Sequence, residues 1–326
     1  MCSEYGEPDV VHVEDVPPPS LGDGQVRVQV HAAAVNYADV LLVANRYQLK
    51  VPTPFVPGSE FAGVVIEVAD GVTAPVVGDR VFGPVLVGAF AQEVVVAAEV
   101  VGRTPDGVDD QHASAFGVAH RTAYHVLRSV AHVGAGDDVI VLGAAGGVGL
   151  AAVQLGAVLG ASVTAVASSP QRLEAASACG ARHLIDYRSC ELRQALRETL
   201  PDGGDAVVDP VGGDLSEPAL RALRYGGRFV TVGYASGVIP KIPLNLLMLK
   251  GAELLGFQLS TFAAHTLDEF KRNEDELFDL FASQRVAPHI GATFSLDDAA
   301  AALGYVADRK VIGKVVIDIA AGPGTR

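Results

Sequence analysis

The sequence predicts an α/β protein in which a doubly wound parallel sheet is joined to a compact β-barrel. Three observations carry this expectation. Residues 138–155 pass from a short β-branched run through a glycine cluster into a long Ala/Leu/Val segment without proline, which reads strand, tight turn, helix. Beyond them strands alternate with helices, the pattern of a parallel sheet. Before them lie short Val-heavy segments cut by Pro/Gly turns.

In chain order, strands are expected over residues 10–15, 25–32, 61–68, 80–82 and 89–97, with turns such as Pro17-Pro18-Pro19 and Pro57-Gly58 between them. Strict alternation from Gln25 to Val30 places one face on a core and the other in water. A short helix over 36–44 precedes a loop, 45–58, whose three prolines and length suit a functional segment. A helical pattern follows from 109 to 127. The parallel strands are expected at 139–142, 162–167, 183–186, 206–208 and 228–232, and an acidic helix at 267–282. After a further short strand, a helix over 296–307 and a strand over 311–319 are expected to return and complete the first domain. The domains are thus bounded at 1–118, 119–259 and 260–326. No solenoid repeat, low-complexity tract or heptad pattern is visible.

A chain of 326 residues is ample for two domains with proper cores. The formal charge of -14 argues against binding a nucleic-acid backbone. The apolar run 139–169 is long enough for a membrane span, but its glycine cluster would break a spanning helix, and a buried strand, helix and strand give the same run. The N-terminus has no signal-peptide pattern. Cys2, Cys179 and Cys190 form no C-x-x-C pair, which suggests neither a disulfide framework nor a zinc lobe and fits a reducing cytoplasm.

Ala144, Gly146 and Gly149 have the spacing of the G-x-G-x-x-G/A fingerprint, with Gly147 and Val148 inside it. Side chains there would hold the backbone away from a pyrophosphate, whose charge the free N–H groups and dipole of the helix start would favour. About 20 residues on, a site for NAD places an acid on the ribose 2′-OH. Here the strand instead runs into Ser168 and, in the next first turn, Arg172. A hydroxyl and a guanidinium suit a 2′-phosphate, so NADPH is the expected cofactor.

Val35-Asn-Tyr-Ala-Asp39, Pro57-Gly-Ser-Glu60 with the run to Val65, Thr122-Ala-Tyr124, the turn 144–149, Asp209-Pro-Val-Gly-Gly213, Gly226-Gly-Arg228 and Gly313-Lys-Val-Val316 follow one another in order. Together they resemble the medium-chain dehydrogenase/reductase superfamily, in its zinc-free quinone oxidoreductase (zeta-crystallin-like) branch. The resemblance implies a GroES-like β-barrel catalytic domain split around a Rossmann domain, and a homodimer that pairs the edge strands of two Rossmann sheets. The apolar runs 239–249 and 253–257 suit that pairing. It also implies that Tyr187 assists at the 2′-phosphate, that Thr122 faces the nicotinamide, and that Gly233, Ser236 and Gly237 approach the adenosine phosphate. Val211, Phe257 and Arg309 are further carried-over cofactor contacts, with a tight turn for Val211, core packing for Phe257 and a surface charge for Arg309 as the ordinary alternatives. Two departures stand out: almost nothing precedes Tyr5-Gly-Glu-Pro8, where members begin with a strand, and Leu41 replaces an aromatic residue.

Zinc-dependent relatives place a Cys three residues before an Asp and a His just before a Glu. Here Asn36 precedes Asp39 and Ser59 precedes Glu60, so no metal is expected. His120 and His125, the nearest approach to a histidine pair, are expected to have packing or surface roles on a helix. The reaction must then rest on the cofactor's hydride and on positioning. Asn36 and Tyr47 are candidates for orienting an acceptor oxygen that gains charge, while Asp39 holds the loop or a ribose, or stabilises a helix start. The acceptor is expected beside the loop 36–47. Three functions follow: reduction of a quinone by NADPH, reduction of an enone or enoyl group, or a structural or regulatory NADPH-binding role.

Overall fold

The computed structural model describes residues 1–320, so positions 321–326 of the expected return segment lie outside the described residues. The chain divides into two units, Met1–Val118 with Pro288–Arg326, and Ala119–Ala287.

The first unit opens without the strand expected at 10–15. A single 3-10 turn, Pro8–Val10, leads into an extended, exposed segment, and Cys2 makes isolated bridges to Val11 and Phe55. The Val-heavy composition suits a strand, but among the described residues only Val11 of this segment finds a bridge partner, in Cys2. Next come β1 (Gln25–Val35), α1 (Tyr37–Val43), β2 (Glu60–Val68), β3 (Arg80–Pro84), β4 (Glu93–Ala97) and β5 (Gly102–Arg103). β1 outruns its alternating stretch. Its last residues, Ala32 to Val35, are small or β-branched and buried, pairing antiparallel with the returning strand near the C-terminus. Residues 89–92, expected as strand, instead loop back: Ala89 and Phe90 donate to the carbonyls of Gly58 and Pro57.

The helix α2 (Asp110–His125) carries the division between the units and ends in a π-helical turn, Val126–Val130. The second unit then alternates β6 (Asp138–Leu142), α3 (Gly147–Val158), β7 (Ser162–Ala167), α4 (Pro170–Ala178), β8 (His183–Asp186), α5 (Leu192–Thr199), β9 (Gly204–Asp209), α6 (Ser216–Arg221), β10 (Leu223–Thr231), α7 (Asn245–Lys250) and β11 (Glu253–Gly256). All its pairings are parallel, in the order β11-β10-β9-β6-β7-β8. Order reverses at β6, so the crevice between the carboxyl ends of β6 and β9 is the topological switch point where open α/β sheets hold ligands. Ile140, Leu142, Val166, Val207, Leu220 and Phe229 fill its core.

Residues 260–287 lie in the second unit rather than in the return segment. They form most of α8 (Leu259–His265) and α9 (Leu267–Ala282), which the sequence reading reached only for α9. The buried face of α9 carries Asn273, Leu277 and Phe281. Asn273 Nδ2 donates to His125 Nδ1 at 3.0 Å and to Ser129 Oγ at 2.7 Å, bonds that keep the segment with α2.

The chain finishes the first sheet with β12 (Ile290–Ser295), α10 (Ala299–Ala307) and β13 (Lys314–Asp318), in the order β12-β13-β1-β2-β3-β5 with β4 on β1. Val28, Val35, Phe61, Val94, Leu303 and Ile317 are among its core residues. Among the described residues no helix is long and apolar enough to cross a membrane.

Candidate functional site

At the switch point the glycine turn is built by close packing as well as by open space. Ala144, fully buried, donates its N–H to Val166 O at 3.1 Å and so ties the turn to β7. Gly146 is the N-cap of α3 with extended backbone (φ -80, ψ 173), and no side chain caps the helix. Gly147 and Val148, half-buried, begin the helix, so their N–H groups are among those a helix leaves without intrahelical partners. A Cβ on Gly149 would stand 2.2 Å from Gly143 O, which makes that glycine a packing requirement. A Cβ on Gly146 would meet nothing closer than Gly143 O at 3.5 Å, an ordinary contact. The fold itself does not demand glycine at 146, and the absence of a side chain leaves the turn open on that side.

Opposite the turn, the fully buried Asp209 ends β9. Its Oδ1 accepts the N–H groups of Val211 (2.9 Å) and Gly212 (2.8 Å), and its Oδ2 accepts the Ser216 hydroxyl at 2.6 Å. This clamp sets Val211 over Gly143, where an added Cβ would lie 2.4 Å from Val211 Cγ2. Ser236 N donates to Val211 O at 2.8 Å, and Ala235 N to Pro210 O at 3.2 Å, so the loop with Gly233, Ser236 and Gly237 (φ +79) is laced to the same turn. Asp209 is thus a positioning residue, a role that its place in the 209–213 motif does not reveal without the fold.

Ser168 follows the end of β7, half-buried. The Ser169 hydroxyl accepts the Arg172 N–H at 3.4 Å and caps α4, which puts Arg172 in its first turn. Tyr187 N donates to Ala167 O at 3.1 Å, bringing Tyr187 to the carboxyl end of β7 beside Ser168. Ser168, Arg172 and Tyr187 therefore share one sheet end.

Other expected contacts are more scattered. Thr122 is buried on α2. Phe257, buried just after β11, stacks in an aromatic group with His125 (ring centroids 6.4 Å) and Phe262 (5.5 Å). His125 is fully buried; Asn273 donates to its Nδ1 and its Nε2 faces Glu274 Oε1 at 3.1 Å, while Arg121 pairs with the same carboxylate at 2.6 Å. Arg309 is exposed in the left-handed turn (φ 56) that follows α10.

In the first unit, Asn36 is the N-cap of α1 and Asp39 its third residue; the Asp39 N–H donates to the Asn36 backbone carbonyl at 3.0 Å, and the Asp39 carboxyl supplies one half of a capping box. Asp39 Oδ2 accepts Asn36 N–H at 2.7 Å. The Asn36 amide is fully occupied: Nδ2 donates to Ser59 Oγ (3.2 Å) and Glu60 Oε1 (2.9 Å), and Oδ1 accepts from Lys314 Nζ at 2.5 Å. Lys314 also pairs with Glu60 Oε1 at 2.7 Å, and Glu60 Oε2 accepts the Val118 N–H at 2.8 Å. With both amide protons spent inside the protein, Asn36 shapes its surroundings through Ser59 rather than as a free donor. Burial pushes the Asp39 carboxyl up to about 7, against the Asn36 N–H, the Ser59 hydroxyl and the Lys314 ammonium, while Glu60 adds to the rise. Tyr47, half-buried, packs on the core near the end of α1 and donates its backbone N–H to Leu41 O at 3.1 Å.

The positions where zinc-dependent relatives carry Cys and His thus hold an engaged amide and a hydroxyl, with an ammonium on the neighbouring carboxylate. That donor set does not suit zinc. Among the described residues no three His, Cys, Asp or Glu side chains gather as a metal site. Lys314 and Glu60 each sit in a family-like segment, yet nothing local in sequence joins two residues this far apart.

Residues 22–106 match a family described as the alcohol dehydrogenase GroES-like domain, and residues 147–277 one described as zinc-binding dehydrogenase. A quinone oxidoreductase-like protein 2 homolog of Nematostella vectensis is 35% identical over 98% of this chain and 88% of its own length. A mycobacterial protein complexed with NADPH superposes with a TM-score of 0.89 at 31% identity, covering 98% of each chain. The quinone oxidoreductase of Escherichia coli complexed with NADPH gives a TM-score of 0.90 at 26% identity over 97% of this chain and 98% of its own.

Proposed function

This chain belongs to the medium-chain dehydrogenase/reductase superfamily, among its quinone oxidoreductase-like proteins, and from that premise we propose that it is a zinc-independent NADPH-dependent reductase of quinones or similar conjugated carbonyls. The observation that carries this reading is the shared sheet end of Ser168, Arg172 and Tyr187, next to a turn whose Gly146 answers to no packing need. Relatives with NADPH in their structures support it.

Bound NADPH supplies a hydride. The open backbone at Ala144, Gly146, Gly147, Val148 and Gly149 receives the pyrophosphate, and the Gly233 to Gly237 loop approaches the adenosine phosphate from the other side of the switch point. The Ser168 hydroxyl, the Arg172 guanidinium and Tyr187 hold the 2′-phosphate by charge-assisted bonds. Val211, held by Asp209, bounds the turn, and Thr122 faces the nicotinamide; Phe257 and Arg309 contribute at most through their neighbours. Tyr47 donates to the acceptor oxygen as charge develops there. The engaged amide at Asn36 and the ammonium of Lys314 support activity without zinc, so elemental analysis should find none in stoichiometric amount. Cys2, Cys179 and Cys190 are all free, which supports a reducing compartment such as the cytoplasm.

Equilibrium titration tests the nucleotide assignment. NADPH should bind at least about tenfold tighter than NADH, or 1.4 kcal/mol and more. Arg172→Ala should erase most of that preference; equal dissociation constants in the unaltered protein would overturn it. A panel of quinones and enones, with NADPH oxidation followed, separates quinone reduction from enone reduction, and turnover of neither would favour a purely structural or regulatory role.

A further inference from the structure

Val211 and the loop with Gly233, Ser236 and Gly237 come to the glycine turn from two different strands, yet inside the second unit both hang from one buried side chain. Asp209 is fully buried, and its three donors, the N–H groups of Val211 and Gly212 and the hydroxyl of Ser216, are all neutral. Its backbone carbonyl accepts Val232 N at 2.8 Å. One residue therefore holds the loop after β9 through its carboxylate and the loop after β10 through its carbonyl.

The two loops are also bonded to each other in both directions. Ala235 N and Ser236 N donate to Pro210 O and Val211 O, and Gly213 N donates back to Val238 O at 2.9 Å. Glycine is required where they cross. Gly212 has φ +68, and a Cβ there would lie 2.8 Å from Val238 O; Gly213 has φ +65, and a Cβ there would lie 3.0 Å from Ser236 Oγ. Residues 209–213 and 232–238 are thus one double loop, and Val211, its contact with the turn, packs against Gly143.

A turn at a strand end needs only part of this. Accepting N–H groups two and three residues on is the ordinary work of an Asp in a turn, and Oδ1 alone does it. Oδ2 goes elsewhere: it takes the hydroxyl of Ser216, which is itself fully buried and begins α6. The second oxygen fastens the carboxylate to a helix and fixes its rotation, and with it the place of Val211. Without the Ser216 hydroxyl a buried carboxylate oxygen loses its donor, which is costly, and the double loop loses its tie to α6.

Resting on the NADPH reading, we propose that Ser216, acting through Asp209, preorganises the nucleotide site by locking the double loop against the glycine turn. Neither residue touches the nucleotide. The lock raises affinity because NADPH meets a surface already ordered and spends none of its binding energy on ordering two loops. Ser168, Arg172 and Tyr187, the candidates for the 2′-phosphate, stand at the ends of β7 and β8, which β6 separates from β9, and lie outside the lock. The dinucleotide feels the lock and its 2′-phosphate end does not.

Equilibrium titration of the full chain with two probes, NADPH and adenosine 2′-monophosphate, tests this. Ser216→Ala should weaken NADPH at least about tenfold and leave adenosine 2′-monophosphate within about twofold, whereas Arg172→Ala should weaken both. Asp209→Ala should lose more NADPH affinity than Ser216→Ala. Asp209→Asn should recover most of that loss, because the amide keeps an oxygen for Val211 and Gly212 and an N–H for Ser216. In the protein without nucleotide, Ser216→Ala should speed hydrogen exchange at Val211 and Gly212 and, with them, at Gly213 and Ser236. Parental NADPH affinity in Ser216→Ala, or equal weakening of the two probes, would overturn the lock. So would an Asp209→Asn protein as impaired as Asp209→Ala, which would show the carboxylate acting by its charge. If Asp209→Ala misfolds, Ser216→Ala and Asp209→Asn, each against the unaltered protein, still decide. Failure of the unaltered protein to bind NADPH is a different result: it removes the nucleotide reading, and the lock with it.

Discussion

Asp39 makes folding itself depend on pH. Its carboxyl is held up to about 7 by burial, above its ordinary value of 3.8, so the folded chain binds this proton more tightly than the unfolded chain does. The sign follows: the contribution is fully present below the ordinary value and is lost as pH rises through the folded one, on the order of 4 kcal/mol in all. Urea unfolding between about pH 4 and about pH 8 should therefore show a smaller loss of stability in Asp39→Asn than in the unaltered protein. Parallel profiles would mean that Asp39 is ionised in the folded state. The sequence made Asn36 and Asp39 visible, because a short helix start carries them both three residues apart. It did not make Lys314 visible: the ammonium reaches Glu60 and Asn36 across more than 250 positions, and only the pairing of β13 with β1 brings them together.

At the scale of elements, the glycine turn separates two demands that one motif merges. Gly149→Ala forces a Cβ into the backbone of Gly143 and should destabilise the protein by roughly 1–3 kcal/mol in urea, as overpacking does. Gly146→Ala meets only an ordinary contact, so stability should hold within about 1 kcal/mol while NADPH binds at least about tenfold more weakly. If both variants bound NADPH as well as the parent, the turn would not be the pyrophosphate site. The parallel strands were readable because apolar runs between glycine and helix signals leave few alternatives, and 162–167 and 183–186 fall where β7 and β8 do. The helix α8 was not, since its Leu-Ser-Thr-Phe-Ala-Ala-His sequence shows no clear apolar face and its cap is a glutamine, with Gln258 Oε1 accepting Thr261 N at 2.6 Å. The segment 10–15 erred the other way, presenting a Val-heavy run without a partner strand.

For the whole molecule, assembly and turnover are the remaining consequences. β11 ends the second sheet, pairing only with β10, and nearby Ile239, Met248, Leu249 and Leu254 are exposed. An unpaired edge beside apolar side chains is an aggregation liability, and we infer that a second copy covers it across a two-fold axis. Light scattering at micromolar concentration should give twice the chain mass, and a monomer throughout would count against it. The most direct measurement is the initial rate of NADPH oxidation by the purified, zinc-depleted protein with a quinone, beside NADH and a no-acceptor control. Acceptor-dependent oxidation is expected, with kcat/KM for NADPH at least about tenfold above that for NADH and a slower rate when the transferred hydrogen is deuterium. Folded protein that oxidises neither nucleotide with any quinone or enone, or that turns over only once zinc is restored, would contradict a zinc-independent NADPH-dependent reductase.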